Sequence, residues 1–174
     1  MIARILIVIG AVIVLAGVNV SIFSKENIKQ NGDVIFLDLA PRDPRSLMQG
    51  DYMTLRFRLA QDIEATWRSA RTQDSASRNA GGADELPREG EVRWADIVLD
   101  DRHVASLAKA GVPATLKIRY RMRKGAVWLG TNAFFFEEGS DQRYSGARYG
   151  EFRLDQTSGE AVLVGLRDAK LNAL

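Results

Sequence analysis

At 174 residues, 46% hydrophobic and 26% charged, the chain has room for one domain of ordinary size plus a small appendage. Its formal charge of +2 calls for no nucleic-acid partner. The absence of cysteine excludes disulfides, thiol catalysis and cysteine metal sites.

Residues Ile5 to Phe23 form an uncharged, largely aliphatic run of 19. As a helix rising about 1.5 Å per residue it would reach roughly 29 Å, close to the hydrocarbon thickness of a bilayer. Residues 1–23 are therefore read as a transmembrane anchor. A cleaved signal peptide is the rival; it would carry an apolar region of about 7 to 15 residues and an Ala-x-Ala-like site, and none stands between Leu15 and Ser24. A buried soluble helix would show a polar face, whereas this run has only Asn19 and Ser21 near its end. Arg4 lies on one side of the run and Lys25 and Lys29 beyond the other. The short amino-terminal tail favours placing Arg4 inside, which puts the rest of the chain outside the cytoplasm. An exported domain without cysteine is compatible with this, because an oxidising compartment permits disulfides without requiring them.

A polar stem, residues 24–32, leads into a β-rich domain expected over residues 33–174. Asp33 to Leu39 is the first strand, with Ile35, Leu37 and Leu39 on its inner face. Pro41 and Pro44 fix their own φ and push the preceding residues towards extended backbone, so Ala40 to Pro44 is a rigid loop. Gly50-Asp51 reads as a turn opening onto a strand from Tyr52 to Leu59. There Met53, Leu55, Phe57 and Leu59 alternate with Tyr52, Thr54, Arg56 and Arg58, the two-residue period of a half-buried strand. Leu59, Ile63, Trp67 and Ala70 recur at helical spacing, which predicts a short amphipathic helix from about Ala60 to Arg71. Residues 72–90 hold a single large aliphatic residue, Leu86, and read as a flexible loop inserted within the domain.

Strands follow at Val92 to Leu99, His103 to Lys109, Ala114 to Arg123 and Ala126 to Phe136. The His103 segment competes with a helical turn. Lys124-Gly125 supplies a two-residue hairpin turn between the last two strands. Gly150 to Leu154 and Glu160 to Leu166 form a final pair, joined by a loop that needs Gly159 at a left-handed position. The fold class that follows is mainly β (α+β): an antiparallel curved sheet or partly closed barrel with one short helix, behind an N-terminal transmembrane helix. Barrel and sandwich are both compatible with the pattern.

The segment Gly50-Asp51-Tyr52-Met53-Thr54-Leu55-Arg56-Phe57 resembles the bacterial membrane-anchored family named for its GDYxxLxY motif, with Phe57 in place of the final Tyr. The substitution keeps the ring and loses the hydroxyl. The resemblance extends to Pro41 through Ser46, to Phe134 through Gly139, and to Arg148 through Asp168. It implies a single amino-terminal anchor in the bacterial inner (cytoplasmic) membrane, an exported periplasmic β-rich domain and a multi-pass membrane partner. It assigns no catalytic residue.

Two groups of residues are candidates for function. Asp43, Arg45, Gly50, Asp51 and Tyr52 surround the proline loop, where Arg45 could bridge a carboxylate bidentately and a partner or ligand could dock. Lys117, Arg119, Arg121 and Arg123 alternate with Leu116, Ile118, Tyr120 and Met122, so four cations share one strand face. If this strand neighbours Tyr52 to Leu59, Arg56 and Arg58 extend that surface towards an anionic lipid, an envelope ligand or an acidic partner; acids on adjoining strands would instead leave it an ordinary solvated face. One histidine, His103, and the adjacent Glu137 and Glu138 make no metal site, and no cofactor is expected. A Ser/Lys hydrolase built on Ser46 lacks a lysine in a suitable context. The expected function is a membrane-anchored binding or accessory module for a membrane or envelope partner; the alternative is an envelope hydrolase using the polar cluster around Asp43, Asp51 and Tyr52.

Overall fold

The computed structural model describes residues 2–40, 48–49, 52–76 and 87–174. Helix α1 (Ile2–Asn31) carries the apolar run and is long and apolar enough to cross a membrane; its apolar stretch is not covered by the rest of the chain. Its last turns dock on the domain. Ile28 is buried there, and at Gly32, where the helix ends, a Cβ would stand 2.5 Å from Ile28 O and 3.1 Å from the backbone of Leu154.

Among the described residues the strands form two sheets. The larger has the order β10 (Ala161–Arg167), β9 (Tyr149–Leu154), β1 (Asp33–Asp38), β5 (Val104–Leu107), β4 (Val92–Leu99), β6 (Leu116–Arg123) and β7 (Ala126–Trp128). The smaller joins β2 (Met48–Gln49), β3 (Tyr52–Thr54) and β8 (Ala133–Phe135). Among the described residues two helices accompany the sheets, α2 (Arg58–Ala76) and the four-residue α3 (Asp141–Tyr144).

The large sheet curls into a half-barrel, as expected, but it is mixed. β1 runs parallel to β5, with Phe36 opposite Val104 and Leu37 opposite Ala105. A parallel neighbour requires a long crossover, and everything from the proline loop through α2 and β4 supplies it. Ile35, Leu37, Ile97, Ile118, Phe152 and Leu154 line the concave side at 0% exposure. α2 packs along the same side against β1, β5 and β7, burying Leu59, Ala60 and Ile63. Glu64 on this helix accepts a hydrogen bond from Val127 N at 2.9 Å, which ties the edge strand β7 to the helix.

Three elements differ from the sequence expectation. The strand expected through Leu59 ends at Thr54: Leu55 N still donates to Asn132 O at 2.7 Å in the register of β8, and then Arg56 O accepts from Ala40 N at 2.8 Å, which carries the chain over to the end of β1. Its alternation survives nonetheless: Met53, Leu55, Phe57 and Leu59 are all buried. The helix starts at Arg58 and runs through Ala76 into the segment read as a loop, whose residues 77–86 lie outside the described residues. The single strand expected from Ala126 to Phe136 is two strands in different sheets. It breaks where Gly130 adopts φ +82 and passes so close to Ala161 O that a Cβ would stand 2.6 Å away. The Lys124-Gly125 turn has both φ values positive, 50 and 72, as a two-residue hairpin requires.

Candidate functional site

The motif region is a strap between the two sheets. Tyr52 pairs with Phe135 in the small sheet, while Phe57 forms a bridge with Leu39 at the end of β1. The four residues between Tyr52 and Phe57 thus carry the chain from one sheet to the other, and of these Met53 and Leu55 are buried. Phe57 packs edge-on to Phe152 at 5.2 Å. Of the first candidate group, Asp43, Arg45, Gly50 and Asp51 lie outside the described residues. Tyr52 lies within them, its ring 5.8 Å from that of Phe135.

β8 divides its three phenylalanine neighbours between two environments. Phe134 and Phe136 pack on Tyr144 of α3 at 5.1 and 5.3 Å. Phe135 turns the other way and is 74% exposed. It lines a groove of about 490 Å3 together with Phe134, Lys25, Gly130, Glu160 and Leu163. The exposed Phe135 therefore shares a groove with Lys25, the first charged residue after the apolar run of α1.

The basic row occupies the outer face of β6, with Ile118, Tyr120 and Met122 buried on the inner one. The register separates its members chemically. Lys117 stands opposite Asp96 and pairs with it at 3.5 Å. Arg119 stands opposite Trp94 and pairs with Glu160 at 3.1 Å. Arg121 stands between Val92 and Trp128, and Arg123 opposite Ala126 with its guanidinium 4.8 Å from the centre of the Trp128 ring. Neither Arg121 nor Arg123 has a carboxylate partner among the described residues. Arg56 and Arg58 do not extend the row, because β3 pairs with β2 and β8 whereas β6 pairs with β4 and β7. Arg56 is exposed beside Ala40, and Arg58 pairs with Asp38 at 3.2 Å.

The half-barrel closes on itself next to this row. Arg119 N donates to Gly159 O at 2.6 Å, so the turn between β9 and β10 reaches the free edge of β6 beyond the end of β7. Gly159 has φ +66, and a Cβ on it would stand 3.0 Å from Trp94 Cδ1. The turn is stiffened by Asp155, whose carboxyl is held below the usual range by the Ser158 hydroxyl at 2.7 Å and then by Thr157 N at 3.0 Å. Glu160, just beyond the turn, is shared between Arg119 and Lys25. Along the seam lies a polar cleft of about 200 Å3, walled by Arg119, Arg121, Arg123, Trp128, Gly130 and Glu160.

A family model described as GDYXXLXY protein matches residues 14–166. The chain belongs to the GDYXXLXY family. The match takes in part of α1, both sheets and the seam of this GDYXXLXY protein. No curated protein and no solved structure matches the chain.

Sequence reasoning missed the shared ion pair of Lys25 and Glu160, 135 residues apart, for which no local signal exists. It also missed Trp94 and Trp128 as parts of the basic face. Trp128 had a readable signal: a two-residue hairpin turn at Lys124-Gly125 places it across from Arg121 by counting. Among the described residues, no group of three His, Asp or Glu side chains converges as a metal centre would require.

Proposed function

We propose that this GDYXXLXY protein is a single-pass accessory module of the bacterial inner membrane, with its β-rich domain outside the cytoplasm, and that it docks on a multi-pass membrane partner. The supporting observation is Phe135, 74% exposed, backed by the motif's Tyr52 and facing the groove that Lys25 enters. Leaving a phenylalanine in water forgoes roughly 1.5–3 kcal/mol of burial free energy, and the side chain stands where α1 would leave the bilayer. A partner embedded in the same bilayer would meet this face first.

The test is photo-crosslinking in cells from position 135, with Lys109, beyond the end of β5, which runs parallel to β1 away from α1, as the control site. Adducts to an integral membrane protein from position 135 and not from position 109 are expected. Identical adducts from both sites, or none from position 135, would overturn the docking reading.

A further inference from the structure

An alternating strand face of cations lies open to solvent in many proteins, and it is normally neutralised by acids on the neighbouring strands. Here the register denies that to half of the row. The cross-strand neighbours of Arg121 are Val92 and Trp128, and that of Arg123 is Ala126. The two guanidinium groups stand on one face about 6.6–6.8 Å apart at their backbones, an arrangement that repels itself unless an anion lies between or above them. The cleft beside them holds about 200 Å3, enough for a phosphate group and too small for a folded segment. Its one lining carboxylate, Glu160, is already held by Lys25 and Arg119.

The same ion pair sets where the cleft lies. Lys25 follows Phe23, the end of the uncharged apolar run in α1, by two positions. Through Glu160 it brings Arg119 and the mouth of the cleft to the level at which a bilayer crossed by α1 would present its headgroups. Apart from α1, three large hydrophobic side chains are exposed among the described residues: Trp94, Val112 and Phe135. Two of the three are aromatic and border the seam, Trp94 against Gly159 and Phe135 in the groove shared with Glu160. Aromatic rings with cations beside them are the composition that settles at a membrane–water interface.

We propose that the seam cleft binds the phosphate of an anionic lipid headgroup through Arg121 and Arg123, with Trp128 as its wall. Guanidinium groups take phosphate oxygens in pairs of parallel hydrogen bonds, which a lysine cannot reproduce. Arg123 already rests over the Trp128 ring, so part of its ordering cost is met before the ligand arrives. Lipid binding here would fix the rotation of the domain about α1 and so orient the Phe135 face. The inference rests on the anchored reading of α1.

The experiment uses the full chain in detergent micelles doped with phosphatidylglycerol and phosphatidylcholine, with retained lipid read by native mass spectrometry. The wild type should retain phosphatidylglycerol in preference by roughly tenfold or more, the effect of two cations at about 1 kcal/mol each. R121Q/R123Q should lose the preference, R121K/R123K should keep only part of it, and K109Q should keep all of it. Circular dichroism establishes that each variant is folded, and the lysine pair serves if the glutamine pair is not. Equal retention by wild type and R121Q/R123Q would overturn the proposal. So would displacement of the lipid by inorganic phosphate with wild-type-only phosphate binding, which assigns the cleft to a free anion. A wild type that ignores both but binds poly-glutamate through these arginines overturns it in favour of an acidic protein. Release of the chain from membranes by alkaline wash fails the anchored reading, a result separable from the lipid preference.

Discussion

Phe57 meets Phe152 edge-on, ring centroids 5.2 Å apart and planes at 76°, in a space that exists because residue 150 is glycine. A Cβ on Gly150 would stand 2.9 Å from Phe57 Cε1 and 3.0 Å from Phe152 Cε2. The last position of the motif thus locks the strap onto β9. Both rings are almost wholly buried, which is why the family's final tyrosine can be a phenylalanine here and still fill its place.

Phe57→Ala should therefore loosen the join between the two sheets. Loss of a buried phenylalanine costs about 3–5 kcal/mol. Thermal unfolding of the full chain in detergent, followed by near-ultraviolet circular dichroism, would check this; a loss below about 1 kcal/mol would contradict the packing role.

Closure of the half-barrel depends on Gly159. Its φ is +66, and a Cβ would crowd Trp94 at 3.0 Å and Arg119 N at 3.2 Å, so Gly159→Ala should cost about 1–2 kcal/mol from backbone strain alone. Amide exchange at Arg119, whose N–H is bonded to Gly159 O, should rise before exchange in β1 or β9 does. Unchanged protection at Arg119 would show that the seam does not rely on this contact.

Glu151 is buried at 8% exposure, and Arg167 donates to it through Nε at 2.6 Å across the β9–β10 pair. Arg167→Ala leaves that carboxylate buried without its cation, at a cost of about 3 kcal/mol. The double change E151Q/R167A should recover part of the loss, because a neutral amide is cheaper to bury. Denaturant unfolding of the three proteins measures both effects.

The turn held by Asp155 should respond to acid. Its carboxyl is depressed in the folded chain by Ser158 and Thr157, so the stability it contributes is present above the unfolded value, about 3.9, and is lost as pH falls through the lower folded value. Asp155→Asn should accordingly be less stable than wild type near neutrality, with the difference shrinking below about pH 4. A difference that stays constant down to the acid limit would rule out the carboxylate as its origin.

Of the polar group around the proline loop, Asp43, Arg45, Gly50 and Asp51 lie outside the described residues. The motif's apolar positions were legible from alternation, because burial with a two-residue period follows from backbone pleat wherever the chain is extended. The end of the strand was not: extended backbone looks the same in sequence whether its hydrogen bonds go to β8, as far as Leu55, or to Ala40, from Arg56 on. The row on β6 was legible as a row. Its division into paired and unpaired cations was not, because that depends on which residues β4 and β7 bring opposite.

Local chemistry, then, was enough for the apolar helix, the alternating strands, the Lys124-Gly125 turn and the left-handed Gly159, since each is governed by a period or by the φ of one or two residues. The parallel seating of β1 on β5, the split of the Ala126 to Phe136 segment between two sheets, and the meeting of Lys25, Arg119 and Glu160 arose from long-range closure. Those contacts join residues far apart in the chain, and their stability comes from burial and charge pairing that exist only once the sheet has curled.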